Sequence, residues 1–120
     1  MRYVWLSIAV VGAMLSVAAE AHPKLVSASP APNATVGKLT QVKMRFSEKL
    51  LPAFSKADLM MAAMPGMAAM KVTSTAAVIN GQTLVVTSKQ QLHSGRYTVA
   101  WHVVSTDTHK VAGSYAFTVK

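Results

Sequence analysis

Gly95-Arg-Tyr-Thr-Val-Ala-Trp-His-Val-Val104 is the stretch that decides the class of fold. Tyr97, Val99, Trp101 and Val103 recur at every second position, with Arg96, Thr98 and His102 among the residues between them. Period two is the repeat of a β-strand, whose side chains alternate between a buried and a wetted face. The same alternation marks Gln41–Phe46 (Gln-Val-Lys-Met-Arg-Phe) and residues 111–119, where Tyr115, Phe117 and Val119 share a side. Asn80-Gly81 is a hairpin signal leading into the Thr-Leu-Val-Val-Thr run at 83–87. Residues 22–28, 57–61 and 71–78 are further strand candidates, and Pro23 assigns the first of them to a sheet edge. Ser29-Pro-Ala-Pro-Asn-Ala-Thr is a loop by composition; 47–55 is irregular, with Pro52 arguing against a long helix. About seven short strands without a sustained helical period predict an all-β fold: a single Greek-key β-sandwich or barrel, immunoglobulin-like in size.

Upstream of the strands, residues 1–21 read as a secretory signal peptide. Arg2 supplies the positive start, 4–18 are apolar apart from Ser7 and Ser16, and Ala19-Glu-Ala21 has the small-residue cleavage pattern. The apolar run is about fifteen residues, short of the ~20 that span a bilayer. The expected division is therefore a signal at 1–21 and one domain at 22–120, exported to the periplasm and not membrane-embedded after cleavage. Cutting after Ala21 makes His22 the first residue. Its α-amine, with an ordinary pKa of about 8, then joins its own imidazole Nδ1 in a six-membered chelate that no internal histidine offers. The alternative is that His22 merely begins the chain.

Composition narrows the chemistry. The chain has 12 Lys+Arg, 4 Asp+Glu, no Cys and 8 Met. Setting aside Arg2 and Glu20 leaves 11 basic residues and 3 acids, which are Glu48, Asp58 and Asp107. A disulfide scaffold and thiolate-based zinc or iron sites are excluded. A calcium cage or a paired-carboxylate glycosidase needs more converging acids than these. The basic residues are scattered rather than clustered, which argues against nucleic acid as the partner.

Two constellations carry metal chemistry. In Ser105-Thr-Asp107-Thr-His109, residues two apart in an extended chain project together, so Asp107 and His109 share a face. With the amine and imidazole of His22 they make a three-nitrogen, one-oxygen set, the tetragonal donor set that Cu(II) favours. The competing interpretation is a plain turn with a solvated His109. Glu48, in Arg45-Phe-Ser-Glu-Lys, either orients one of these histidines or is an exposed loop acid. In the second constellation, Met60-Met-Ala-Ala-Met64-Pro-Gly-Met67-Ala-Ala-Met70, five of the eight methionines fall within residues 60–70. Thioethers need no deprotonation and suit Cu(I) where a thiol would oxidise. A docking patch or a packed loop is the other interpretation. His93 and His102 read as exposed side chains, and Trp101 as core.

Taken together, His22-Pro-Lys-Leu, Arg-Phe-Ser-Glu48, Met-Pro-Gly-Met67 and Trp101…Asp107-Thr-His109 resemble the CopC/PcoC family of periplasmic copper-resistance proteins, in the family's order and along essentially the whole of 22–120. The resemblance implies a Greek-key sandwich or barrel with a Cu(II) site at one end and, in methionine-bearing members, a Cu(I) site at the other. It implies Cu(II) ligands at His22, Asp107 and His109, with Glu48 at the nearby acidic position. It implies Cu(I) thioethers at Met61, Met64, Met67 and Met70, with no counterpart for Met60. Two-site members carry a histidine after the third of these methionines, where this chain has Ala68-Ala69, which leaves a methionine-only set.

The expected function is that of a non-enzymatic periplasmic copper carrier. Its partners are copper ions and, for delivery, an inner-membrane copper transporter or a periplasmic multicopper oxidase. The main alternative is a copper-brace oxidoreductase resembling the polysaccharide monooxygenases. Asp107 in the fourth position and an aromatic content of 7% argue against it. A metal-free adhesion module is the third.

Overall fold

A computed structural model describes residues 22–120; the signal peptide expected at 1–21 lies outside the described residues. The fold is all-β. Nine strands follow in order: β1 (Leu25–Ser29), β2 (Thr35–Val36), β3 (Gln41–Phe46), β4 (Lys56–Met61), β5 (Met70–Lys71), β6 (Thr75–Asn80), β7 (Thr83–Ser88), β8 (Gly95–Val104) and β9 (Lys110–Val119). Two of them have only two residues, so the longer strands number seven, as the alternation in the sequence predicts. A 3-10 turn at Pro52–Phe54 is the sole helical element among the described residues, with Pro52 at its start, where a missing N–H costs nothing. No helix there is long and apolar enough to cross a membrane.

The strands form two sheets, ordered β1-β3-β7-β6 and β2-β9-β8-β4-β5. The sheets do not join into a closed barrel, so of the two expected forms the sandwich is the one observed. Their inner faces make a single core. One sheet contributes Val42, Met44, Phe46, Leu84 and Val86; the other contributes Leu59, Tyr97, Val99, Trp101, Val103, Tyr115, Phe117 and Val119. Each large apolar side chain buried this way stabilises by about 1.5–3 kcal/mol before the entropy of ordering it. The decisive stretch is the central strand β8, which pairs with β4 on one side and β9 on the other.

Two expected strands differ in their bounds. β1 begins at Leu25, not at 22, because Pro23 is fully buried ahead of it and carries no N–H for a ladder. The 71–78 candidate is two strands: Met70–Lys71 pairs with β4, whereas Thr75–Asn80 pairs with β7 in the opposite sheet. The chain changes layer between them, and the Thr75 hydroxyl donates to the Val72 carbonyl (3.4 Å) across the crossing. The Asn80-Gly81 turn is as expected, with Gly81 at φ 60°.

Candidate metal centre

Three segments meet at the end of the sandwich where β3 and β8 finish. Pro23 wedges into the core, and Lys24 is tied to Ser47 from both sides: its N–H donates to the Ser47 hydroxyl (2.9 Å) and its carbonyl accepts from the Ser47 N–H (2.8 Å). This fixes the point from which His22 projects. On the other side, Leu50 bridges Ser105, and the Thr106 N–H donates to the Lys49 carbonyl (3.0 Å). Half-buried Glu48 stands between these two anchors, one residue from each.

Residues 105–109 form the connection from β8 to β9. The Ser105 N–H donates to the His109 carbonyl (3.0 Å), and the Thr108 N–H donates to the Ser105 carbonyl (2.8 Å). A β-turn therefore precedes Thr108, which takes φ 72°. This is a three-residue hairpin loop whose last position is left-handed, an uncommon conformation for a β-branched residue and one that persists where the surroundings impose it. The extended conformation expected here is absent: Asp107 and His109 converge through the turn, not through strand alternation.

The turn brings His109 Nδ1 to 3.0 Å from Asp107 Oδ2. The other carboxylate oxygen, Oδ1, accepts from the buried Ser105 hydroxyl. That hydroxyl first, and the His109 ring second, hold the Asp107 carboxyl below the usual carboxylate range. The His22 ring stands edge-on to His109, with centroids 4.9 Å apart and planes at 80°. His109 Nδ1 is shut off from solvent, yet no hydrogen-bond partner is aligned with it. Two donors held ~2.0 Å from one ion at a right angle lie about 2.8 Å apart, so the 3.0 Å gap suits a shared metal as well as an ion pair. The contacts are pairwise, His22 to His109 and His109 to Asp107. Among the described residues no three His, Asp or Glu side chains close into a cage. The completing donor would be the His22 α-amine, which exists only once the chain begins there.

The methionines collect at the opposite end. β8 is ten residues long, so at ~3.3 Å per residue about 30 Å separates the two ends. Met61 is buried on β4, in register with Met70 of β5 on one side and Tyr97 of β8 on the other. Met64 and Met67 bridge each other across Pro65-Gly66, with N–H donors to each other's carbonyls at 2.9 and 2.8 Å. Gly66 at φ 82° after Pro65 is the pairing a type II turn requires. Met64 is half-buried, while Met67 and Met70 are 46% and 48% exposed, unusual for large apolar side chains. Met61 and Met70 also line a cleft of about 330 Å³. Met60 points to the other face of β4. The largest hollow described, about 630 Å³ beside Ser27, Lys43, Arg45 and Gln82, contains none of the expected ligands.

Alternation and composition did not single out Ser105, whose hydroxyl prepares Asp107. Its signal was the Ser-x-Asp spacing, which acquires meaning only once the turn is known. His102 is exposed and Trp101 is core, as expected, the indole packing edge-on to Phe46 at 5.8 Å.

Comparison with known proteins gives a consistent family. The model described as "CopC domain" matches residues 25–120. Copper resistance protein C of Xanthomonas campestris pv. juglandis is 47% identical over 114 residues, covering 92% of this chain and 90% of that protein. Copper resistance protein C of Pseudomonas syringae pv. tomato is 43% identical over 112 residues, covering 91% and 89%. The crystal structure of PcoC, a methionine-rich copper resistance protein from Escherichia coli, superposes with a TM-score of 0.74 at 37% identity, covering 83% of this chain and all of that one. On this agreement of sequence, fold and length, the chain belongs to the CopC domain family.

Proposed function

We propose that the chain is a periplasmic copper carrier whose domain, 22–120, begins at His22 after removal of residues 1–21. Cu(II) is held by the amine and imidazole of His22, by Asp107 and by His109, with Glu48 as the adjacent carboxylate. Cu(I) is held by the thioethers of Met61, Met64, Met67 and Met70. The ion is cargo in this reading, and no residue is given a catalytic part. Delivery is to an inner-membrane copper transporter or a multicopper oxidase. The observation that carries the reading is the convergence of His109 Nδ1 on Asp107 Oδ2 at 3.0 Å, with the His22 and His109 ring centroids 4.9 Å apart. The names of the relatives, copper resistance proteins, support it.

The chemistry follows from the donors. Ser105 keeps the Asp107 carboxylate ionised and turned toward His109, so little reorganisation is needed when a cation arrives. The half-exposed side chains of Asp107 and His109 let the ion enter and leave, as a carrier requires. The test is equilibrium titration of the chain starting at His22, with Cu(II) and, under reductant, with Cu(I). One site of each kind is expected, and His109→Ala should remove only the first. A chain that retains neither ion against a modest chelator contradicts the reading.

A further inference from the structure

We propose that His93 supplies an imidazole nitrogen to the soft-metal site at the methionine end, making it a mixed thioether–imidazole site. The inference rests on the Cu(I) reading above and adds a ligand from a different part of the chain. His93 lies in the connection from β7 to β8, distant in sequence from residues 60–70, yet it lines the same cleft of about 330 Å³ as Met61, Met70 and Tyr97. The segment that carries it lies directly against the thioethers. At Gly95, two residues on, an added Cβ would stand 3.1 Å from Met61 Cε and 3.8 Å from Met64 Sδ. A side chain there would push into the methionines, so the glycine is what allows this close approach.

The backbone around His93 is fixed, while the residue itself is exposed and lines the cleft. Leu92 is buried and its N–H donates to the Leu39 carbonyl (3.0 Å). The His93 carbonyl accepts from the Tyr97 hydroxyl (2.8 Å), and the Tyr97 ring is buried in a stack on Phe117, 5.7 Å between centroids. Two anchors thus leave the imidazole as the part free to turn toward Met61 and Met70. The lining also indicates which ion fits. It contains no carboxylate, and its charged residue is Lys71, paired to Asp58 at 3.1 Å. Neutral soft donors beside a lysine suit a monovalent soft cation, Cu(I) or its redox-inert analogue Ag(I), over a divalent one.

The test compares wild type, His93→Ala and His93→Met in the chain starting at His22, using Ag(I) and Cu(I) under reductant as probes. Chelator competition gives the affinity, X-ray absorption gives the donor atoms, and Cu(II) affinity is the control for folding. His93 is exposed, so substitution should spare the fold. The expected result is a loss of at least about tenfold in Cu(I) affinity for His93→Ala, with the nitrogen scatterer gone, Cu(II) affinity unchanged and affinity largely restored by His93→Met. Undiminished Cu(I) affinity in His93→Ala, with sulfur-only coordination already in wild type, overturns the inference and leaves the methionine-only reading standing. Failure of wild type itself to bind either probe overturns both.

Discussion

Asp107 is set up by a single hydroxyl. Ser105 is almost fully buried, and its hydrogen bond is the largest influence lowering the Asp107 carboxyl, ahead of the His109 ring. Ser105→Ala should therefore raise the Asp107 pKa toward the ordinary carboxylate value, as followed by NMR titration of the metal-free chain; an unchanged titration would show that the hydroxyl does not orient the acid. A lowered folded pKa contributes stability that is present above the ordinary value of 3.8 and is lost as pH falls through the lower folded one. At this scale the sequence was partly legible. The D-x-H pair stood out because acids are so scarce in this chain, although a plain turn competed with it. The way its members meet was not legible, since it depends on Thr108 at φ 72°, a conformation that a threonine does not advertise.

Among the elements, β8 and β9 hold both ends of the molecule, and one contact shows how tightly. Gly113 of β9 stands opposite Trp101 of β8, and the indole lies across it. A Cβ at Gly113 would fall 2.5 Å from Trp101 Cζ2. Trp101 is itself hemmed in by Phe46 and Tyr115, with ring centroids 5.8 and 6.0 Å away. Gly113→Ala should destabilise by about 1–3 kcal/mol in denaturant unfolding, through displacement of the indole. An unchanged midpoint would show that the ring moves aside freely. Alternation read from the sequence located β3, β4, β7, β8 and β9 to within a residue, because one face of each is buried in the core. It failed at 71–78, where the chain changes sheet and β6 carries apolar residues on both faces, Val78 exposed and Ile79 against the core, so that no alternation marks its start. The cleft containing His93 was illegible for a related reason: it is assembled from segments on opposite sheets and a loop.

For the whole molecule, the two candidate sites lie about 30 Å apart at opposite ends of one sandwich, so each should respond to its own substitutions. The core sets the alkaline limit. Burial raises the Tyr115 hydroxyl from 10.0 to about 12, and its oxygen has no hydrogen-bond partner; burial likewise raises Tyr97. The stability contributed by keeping these phenols neutral is complete below pH 10 and is lost as pH rises toward about 12. Tyr115→Phe should lessen that alkaline loss without lowering stability at pH 7, because no hydrogen bond is given up. An equally steep alkaline loss in the variant would place its cause elsewhere. At the other extremity, the proposed removal of residues 1–21 would turn an internal histidine into a chelate. Its most direct test is electron paramagnetic resonance with one equivalent of Cu(II), comparing the chain that starts at His22 with the same chain bearing one extra glycine before it. The expected result is a nitrogen-rich tetragonal signal for the first, and a changed signal with much weaker binding for the second. Identical signals and affinities would contradict a site built on the His22 amine.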